Sequence, residues 1–285
     1  VMAKNADLSA AKTAKKDEVY SQLTDIEKEM RYYRKHFKGK TVLCNCDDPF
    51  ESNFFKYFVL NFNRLELKKL IATCYATSPI MGSQLKYCMD ASGQMYISFD
   101  SELTADNNTK RPYKAVVSVV YDKTGDGGVD MFDVAELFRS GENQLTELSG
   151  DGDYRSDECL ELLQEADIVV TNPPFSKFRE YVSTLIKYDK KFIIIGNINA
   201  ATYKETFPLI QHNKMWLGAS IHSGDRAFYV PDDYPLDAAG CGIDESTGRK
   251  FIRVKGVRWY TNLDHKQRHE ELILVKRYSP ELYPR

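Results

Sequence analysis

The sequence predicts an α/β fold built on a mostly parallel central sheet, and three observations carry that prediction. Short apolar runs alternate with segments of helical periodicity. The first two runs, 41–46 and 70–74, flank a helix-length segment, and the alternation resumes after residue 150 as helix, strand, helix, strand. Two strands joined through a helical crossover lie parallel in one sheet, with a right-handed connection.

Each element follows from its residues. Positions 1–14 are polar and rich in alanine and lysine, which predicts a disordered or frayed start. Val19, Leu23, Ile26, Met30 and Tyr33 repeat at helical spacing, giving a helix over 17–37 that Gly39 ends. Strand 41–46 is followed by the acidic turn Asp47-Asp48-Pro49, a helix over 52–62 and strand 70–74. Residues 78–150 break the alternation and read as an insertion: 87–90 and 94–99 flank Ala91-Ser92-Gly93 like a hairpin, and 113–121 is strand-like. Helix 156–165, strand 167–171, helix 177–187, strand 192–196, helix 203–211 and strand 215–220 complete a domain spanning 15–221. From 222 to 285 the chain is irregular, with strands expected at 251–260 and 272–276.

Composition bounds the function only loosely. A 285-residue chain with 42% hydrophobic and 28% charged residues buries a full core, and a formal net charge of −2 does not mark a polyanion binder. Local charge says more: acids dominate 121–170, whereas Arg249, Lys250, Arg253, Lys255, Arg258, Lys266, Arg268, Lys276 and Arg277 reverse the balance. A basic segment on a near-neutral protein fits a localised phosphate-contacting face, and equally a solvated surface. Cysteines 44, 46, 74, 88, 159 and 241 form no CxxC pair and no zinc spacing, so reduced core thiols are expected. With no apolar run near 18 residues and no leader pattern, the chain reads as soluble and cytoplasmic, without a membrane partner.

The chemistry concentrates at Asn172-Pro173-Pro174-Phe175, which follows the buried-strand run 167–171. An exocyclic amine on a base is a poor nucleophile, because its lone pair is delocalised into the ring. An Asn oxygen and a backbone carbonyl can hold its hydrogens and draw the nitrogen toward sp3 geometry. Each proline lacks an N–H and stiffens the loop, and Phe175 offers a face on which a planar ring can stack. The substrate nitrogen stays open at this point between a DNA base, an RNA base and a protein glutamine amide, and a non-catalytic nucleic-acid-binding subunit is the other class.

Two acidic turns precede that loop. Asp47, Asp48 and Pro49 follow the first strand, where open parallel sheets hold ligands, with Ser52 at the next helix start. The dinucleotide pattern GxGxxG is absent. Gly150-Asp151-Gly152-Asp153-Tyr154-Arg155-Ser156 is the second turn, where Asp153 can accept from an adenine amino group with Tyr154 against the ring. Both turns also read as ordinary helix caps. Lys177 and Arg179 follow the loop at phosphate-contacting positions, and Arg258, Trp259, Asn262, His265 and Arg268 combine base-reading side chains with an aromatic. No metal site is expected. Residues 122–133 match a calcium loop in part, in the positions of Asp122, Asp126, Asp130 and Asp133 and in Gly127, but lack the final Glu.

The ordered blocks resemble the EcoRI-type family of adenine-specific DNA methyltransferases from about residue 15 to 284. They are Asp17 to Gln22, Cys44 to Pro49, Ser52 to Phe58, Gly150 to Ser156, Asp167 to Tyr181, Ile195 to Ala200 and Arg258 to Leu263. The resemblance implies a Rossmann-like class I methyltransferase sheet that binds S-adenosyl-L-methionine and methylates N6 of a flipped-out adenine in double-stranded DNA. It assigns Tyr20 and Gln22 to an N-terminal cofactor motif, Asp47, Asp48, Pro49 and Ser52 to the methionine-binding turn, and Asp153 with Tyr154 to the adenosine pocket. Asn172, Pro173, Pro174 and Phe175 form the catalytic loop, with Asn172 also facing the cofactor. Glu51, Ser52 and Asn53 stand where the wider superfamily carries glycines. A solitary role and a pairing with a cognate restriction endonuclease are both compatible, and localisation on the nucleoid follows. Family members continue past the position of Arg285, so part of the DNA-recognition extension in 222–285 is expected to be missing.

Overall fold

A computed structural model describes residues 20–46, 52–73, 85–89, 95–99, 112–230 and 240–271, with positions 236, 279 and 281. The expected frayed start, Asp47-Asp48-Pro49 and the strand expected at 272–276 lie outside the described residues. The chain opens with β1 (Tyr20–Ser21), α1 (Leu23–Met30) and the short α2 (Arg34–Phe37). The single helix expected over 17–37 is therefore a strand and two helices. Gln22 takes an extended backbone (φ −73°, ψ 140°) and starts α1, which leaves the two residues before it to pair with a strand far along the chain.

Next come β2 (Thr41–Cys44), α3 (Asn53–Leu60) and β3 (Lys69–Thr73), with β2 and β3 parallel as expected. The hairpin of β4 (Leu85–Met89) and β5 (Met95–Phe99) forms a separate two-stranded sheet. After it, β6 (Tyr113–Val117), α4 (Met131–Arg139) and β7 (Gln144–Glu147) return to the main sheet. Then follow α5 (Asp157–Glu165), β8 (Ile168–Thr171), α6 (Phe178–Lys187), β9 (Lys191–Asn197), α7 (Phe207–Gln211) and β10 (Trp216–Leu217). The last elements are β11 (Asp225–Tyr229), β12 (Gly242–Ile243), β13 (Lys250–Lys255) and β14 (Val257–Thr261). No helix among the described residues is long and apolar enough to cross a membrane.

The main sheet runs β10-β14-β9-β8-β2-β3-β6-β7, and within it only β6 and β14 oppose the other strands. Strand β2 crosses to β3 on one side, whereas β8 crosses to β9 on the other. Right-handed crossovers then put α3 and α6 on opposite faces. Packing agrees: Phe54, Phe55 and Phe58 of α3 join Val42, Val170 and Ile193 in one core, and Tyr181, Val182 and Leu185 of α6 join Leu43, Val169 and Ile194 in the other. Each buried Phe contributes roughly 1.5–3 kcal/mol, so packing more than helix propensity holds α3. The crossovers diverge between the carboxyl ends of β2 and β8, and that divergence opens the crevice where such sheets bind ligands.

Residues 251–260, expected as one strand, are two strands in two sheets. Gly256 (φ +70°) turns the chain from β13 into β14, and a Cβ there would lie 3.0 Å from Ile198 Cγ2. Strand β13 belongs to a second, four-stranded antiparallel sheet, β1-β11-β13-β12, beside the crevice.

A buried carboxylate ties α1 to the main sheet. Glu29 Oε1 accepts from Tyr33 OH (2.7 Å) and the Ala219 N–H (2.8 Å), and Oε2 accepts from the Ser220 N–H (2.7 Å). Glu29→Ala leaves the buried Ala219 N–H and the half-buried Ser220 N–H unpaired, at about 1–3 kcal/mol for a buried group. The expected result is a urea midpoint lowered by roughly 3 kcal/mol of stability at unchanged m. Glu29→Gln keeps one acceptor oxygen and is expected to lose less; an unshifted midpoint in the alanine variant would show that the tie is dispensable.

Candidate active site

Strand β8 is buried at all four residues and delivers Asn172-Pro173-Pro174-Phe175 to its carboxyl end, on the crevice. Asn172 is 5% exposed. Pro174, at φ −52° and ψ 126°, sends the chain into a single 3₁₀ turn, Phe175–Lys177, closed by the Lys177 N–H donating to the Pro174 carbonyl at 2.9 Å. Phe175 is half-buried and meets Phe228 of β11 edge-on, with ring centroids 6.2 Å apart. Phe178 then starts α6 with its ring against Gly196 of β9 and Tyr260 of β14, where a Cβ on Gly196 would lie 2.4 Å from Phe178 Cε2.

Apart from Asn172, the described residues that the sequence assigns to a cofactor lie on three separate stretches, 20–22, the start of α3 and the acidic turn at 150–156. Ser21, between Tyr20 and Gln22, accepts through its carbonyl from Asn53 Nδ2 at 2.7 Å, which docks β1 against the start of α3. Ser52 is buried and caps α3, its Oγ accepting from the Phe54 N–H at 3.1 Å. Asn45, just past β2, accepts from the buried Tyr181 hydroxyl of α6. In the acidic turn, Asp153 is 8% exposed and bound to its neighbours: Oδ1 accepts from the Arg155 N–H and Nε, and Oδ2 from Arg155 Nη2 and Lys177 Nζ. The Arg155 guanidinium holds the Asp153 carboxyl far below the usual carboxylate range. Tyr154 is buried with its ring edge-on to Tyr181 at 4.9 Å, and burial pushes its phenol well above the usual value.

The structure divides the expected DNA-facing set. Lys177 lies on the loop, Arg179 stacks over Tyr203 at 3.9 Å, and Arg258 sits opposite Gly196 near the carboxyl end of β9. Trp259 is corrected: it is 1% exposed, packed edge-on against Phe54 in the core, and presents no surface to a duplex. Asn262 and Arg268 are corrected as well. Because β14 runs against β9, Thr261 lies opposite Ile193 and the chain beyond it leaves toward the amino end of the parallel strands, so Asn262 stands level with Phe192, about 10 Å along the strand direction from Asn172, which follows the Thr171–Ile194 pair. There Asn262 accepts from the Phe192 N–H and donates to the Lys190 carbonyl, while Arg268 lies over Trp216 at 3.7 Å and donates to Asn213. His265 is buried beside Tyr33.

Sequence reasoning missed Arg155, Tyr181 and the small sheet. Arg155 adjoins an acidic turn and could have been read as its ion-pair partner, and Tyr181 lies three residues after Phe178 on the apolar stripe of α6. In the small sheet, Phe228, Ile252 and Val254 face the core, so by alternation Tyr229, Phe251, Arg253 and Lys255 face outward. Arg249 lies over Tyr229 at 4.6 Å and Arg253 over Phe251 at 5.8 Å, which makes a basic and aromatic face.

Carboxylate oxygens of Asp122, Asp126 and Asp133 lie within 4.8 Å of one another. The loop's own backbone already uses all three groups, Asp126 accepting from the Gly128 N–H at 3.1 Å. Asp122 accepts from the Gly125 and Gly127 N–H groups, and Asp133 from those of Lys123, Thr124 and Asp130. The arrangement is a capped turn leading into α4.

Comparison with known proteins agrees with this geometry. The family model for adenine-specific methyltransferase EcoRI matches residues 7–285. The chain is 44% identical over 280 residues to Type II methyltransferase M.EcoRI of Escherichia coli, covering 97% of this chain and 75% of that protein. It is 33% identical to Type II methyltransferase M.MgeORF184P of Mycoplasma genitalium, over 89% of this chain and 63% of that one. For Type II methyltransferase M.MpnI of Mycoplasma pneumoniae the identity is 31%, over 94% and 68%. No solved structure matches the chain. With Asn172-Pro173-Pro174-Phe175 at the switch point of a mostly parallel sheet and a family match over nearly its whole length, the chain belongs to the EcoRI family of adenine-specific methyltransferases, enzymes that methylate adenine at defined sites in DNA.

Proposed function

We infer that the chain transfers the methyl group of S-adenosyl-L-methionine to N6 of an adenine flipped out of double-stranded DNA. The observation that carries this reading is Asn172-Pro173-Pro174-Phe175 at the carboxyl end of β8, beside the crevice between β2 and β8. Fit to the cofactor is supported by buried polar atoms at the same end of the sheet. Ser21 Oγ, Thr73 Oγ1, Tyr154 OH and Thr171 Oγ1 have no hydrogen-bond partner among the described residues. Most buried polar groups in folded proteins are paired, and a nucleoside carrying an amino acid offers partners of both kinds. Asp153 and Tyr154 hold the adenine, Ser52 and the turn before it the methionine end, and Tyr20 and Gln22 close the N-terminal side.

The bound cofactor supplies an electrophilic methyl on a sulfonium. The chain supplies position. Asn172 Oδ1 and the Pro173 carbonyl accept the two N6 hydrogens, Phe175 takes the face of the extruded base, and the stiff prolines keep both acceptors aimed. Extrusion costs a few kcal/mol of unstacking, which DNA contacts offset. Lys177, Arg179 and Arg258 surround the loop as phosphate contacts, extended by Arg249, Arg253 and Lys255 on the small sheet. The relatives' designation as Type II methyltransferases supports a cognate restriction endonuclease as the partner activity. The test is incubation of plasmid DNA with the protein and methyl-labelled cofactor, followed by nucleoside mass spectrometry. All label is expected in N6-methyladenine; label in cytosine, or only in added RNA or protein, overturns the reading.

A further inference from the structure

We propose that Lys177 is a positioning residue that competes with the cofactor's adenine amino group for Asp153, so that cofactor binding frees its ammonium for the DNA backbone. The proposal rests on the reading of Asp153 as the adenine acceptor. A carboxylate offers about four lone-pair sites, and on Asp153 four hydrogen bonds fill them. Three come from Arg155, at 3.0 Å from the backbone N–H, 2.8 Å from Nε and 2.7 Å from Nη2. The fourth comes from Lys177 Nζ at 3.3 Å. An adenine amino group can therefore reach this carboxylate only by displacing one of them.

Lys177 is the partner that yields. Arg155 is two residues away on the same turn, and its planar fork grips both oxygens. Lys177 reaches across from another element through one long bond, with 38% of its side chain exposed, and such ion pairs are weak. Its backbone stays in place meanwhile, because the Lys177 N–H closes the 3₁₀ turn on Pro174 and Phe178 is seated on Gly196. The flexible stem can swing while the loop does not. Its other destination is outward, beside Phe175, where the phosphates flanking an extruded base pass. Binding at Asp153 is thereby linked to charge at the DNA face, and by linkage DNA in turn favours cofactor.

The experiment is calorimetry on the full chain with two ligands, S-adenosylhomocysteine and S-inosylhomocysteine, the latter carrying a carbonyl in place of the amino group. Lys177→Met is expected to bind S-adenosylhomocysteine about two- to fivefold more tightly, the scale of one exposed ion pair. It is expected to bind S-inosylhomocysteine no more tightly, since no amino group competes, and Lys177→Arg is expected to match the wild type. In anisotropy with a labelled duplex, S-adenosylhomocysteine should strengthen DNA binding by the wild type and leave Lys177→Met unchanged. Equal or weaker S-adenosylhomocysteine binding by Lys177→Met overturns the competition, as does equal tightening toward both ligands. If the wild type fails to bind S-adenosylhomocysteine, the cofactor reading falls and this proposal falls with it. Normal wild-type binding without a difference in Lys177→Met removes the competition alone.

Discussion

Asn172→Ala is expected to lower methylation by about three orders of magnitude, the scale of removing one aimed hydrogen-bonding group from a reacting centre. Affinity for S-adenosylhomocysteine should stay within about twofold, on the scale of 0.4 kcal/mol. The asymmetry follows from position. Asn172 stands at the end of a fully buried strand, and in the proposed reading its side chain meets the base, whereas the adenosine side rests on Asp153 and Tyr154 in a different turn. A delocalised amine gains nucleophilicity only while an acceptor holds its hydrogens, and alanine offers none. Asn172→Asp keeps an acceptor oxygen in the same place and is expected to fall less far. Single-turnover transfer of labelled methyl measures the first quantity and calorimetry the second. Equal loss of both would show that Asn172 shapes the cofactor pocket and does not hold the substrate amine.

How far the site was legible depended on the range of the interactions that make it. Local signals served well. Ser52 and Ser156 cap α3 and α5 through their hydroxyls, as a small polar residue ahead of an apolar-periodic run announces. Asn172-Pro173-Pro174-Phe175 stands at a strand end because the short apolar run before it forms a buried strand. Long-range pairing was not legible. Nothing near Tyr20 shows that it pairs with Tyr229, so helical periodicity was extended over it. The basic stretch after 249 looks like one surface in the sequence, yet Gly256 divides it. Arg253 and Lys255 fall on the outer face of the small sheet, Trp259 enters the core, and reversal of β14 carries Asn262 and Arg268 to the far end. Asp153 was legible as a carboxylate in an acidic turn before α5, but Arg155 and Lys177 as its partners required the fold.

Gly196→Ala is expected to cost turnover far more than binding, because it disturbs the floor on which the proposed catalytic loop ends. The added Cβ would lie 2.4 Å from Cε2 and 2.8 Å from Cζ of Phe178. That ring cannot rotate away: it is buried, with Tyr260 packed 5.2 Å from its centre. Phe178 is the first residue of α6 and directly follows the 3₁₀ turn Phe175–Lys177, so a shift of its backbone passes into the acceptors at Asn172 and Pro173. Overpacking of this kind costs about 1–3 kcal/mol of stability, and a misplacement near 1 Å costs about 100-fold in rate. The expected pattern is a kcat lowered by roughly two orders of magnitude, with KM for DNA and affinity for S-adenosylhomocysteine within about threefold, or 0.65 kcal/mol. Adding Phe178→Leu gives the new methyl room and should restore part of kcat. If stability falls while kcat holds, the Phe178 seat braces the fold without aiming the loop. Restoration of kcat by the second change ties the seat to catalysis, since relief of strain alone would raise only the unfolding midpoint.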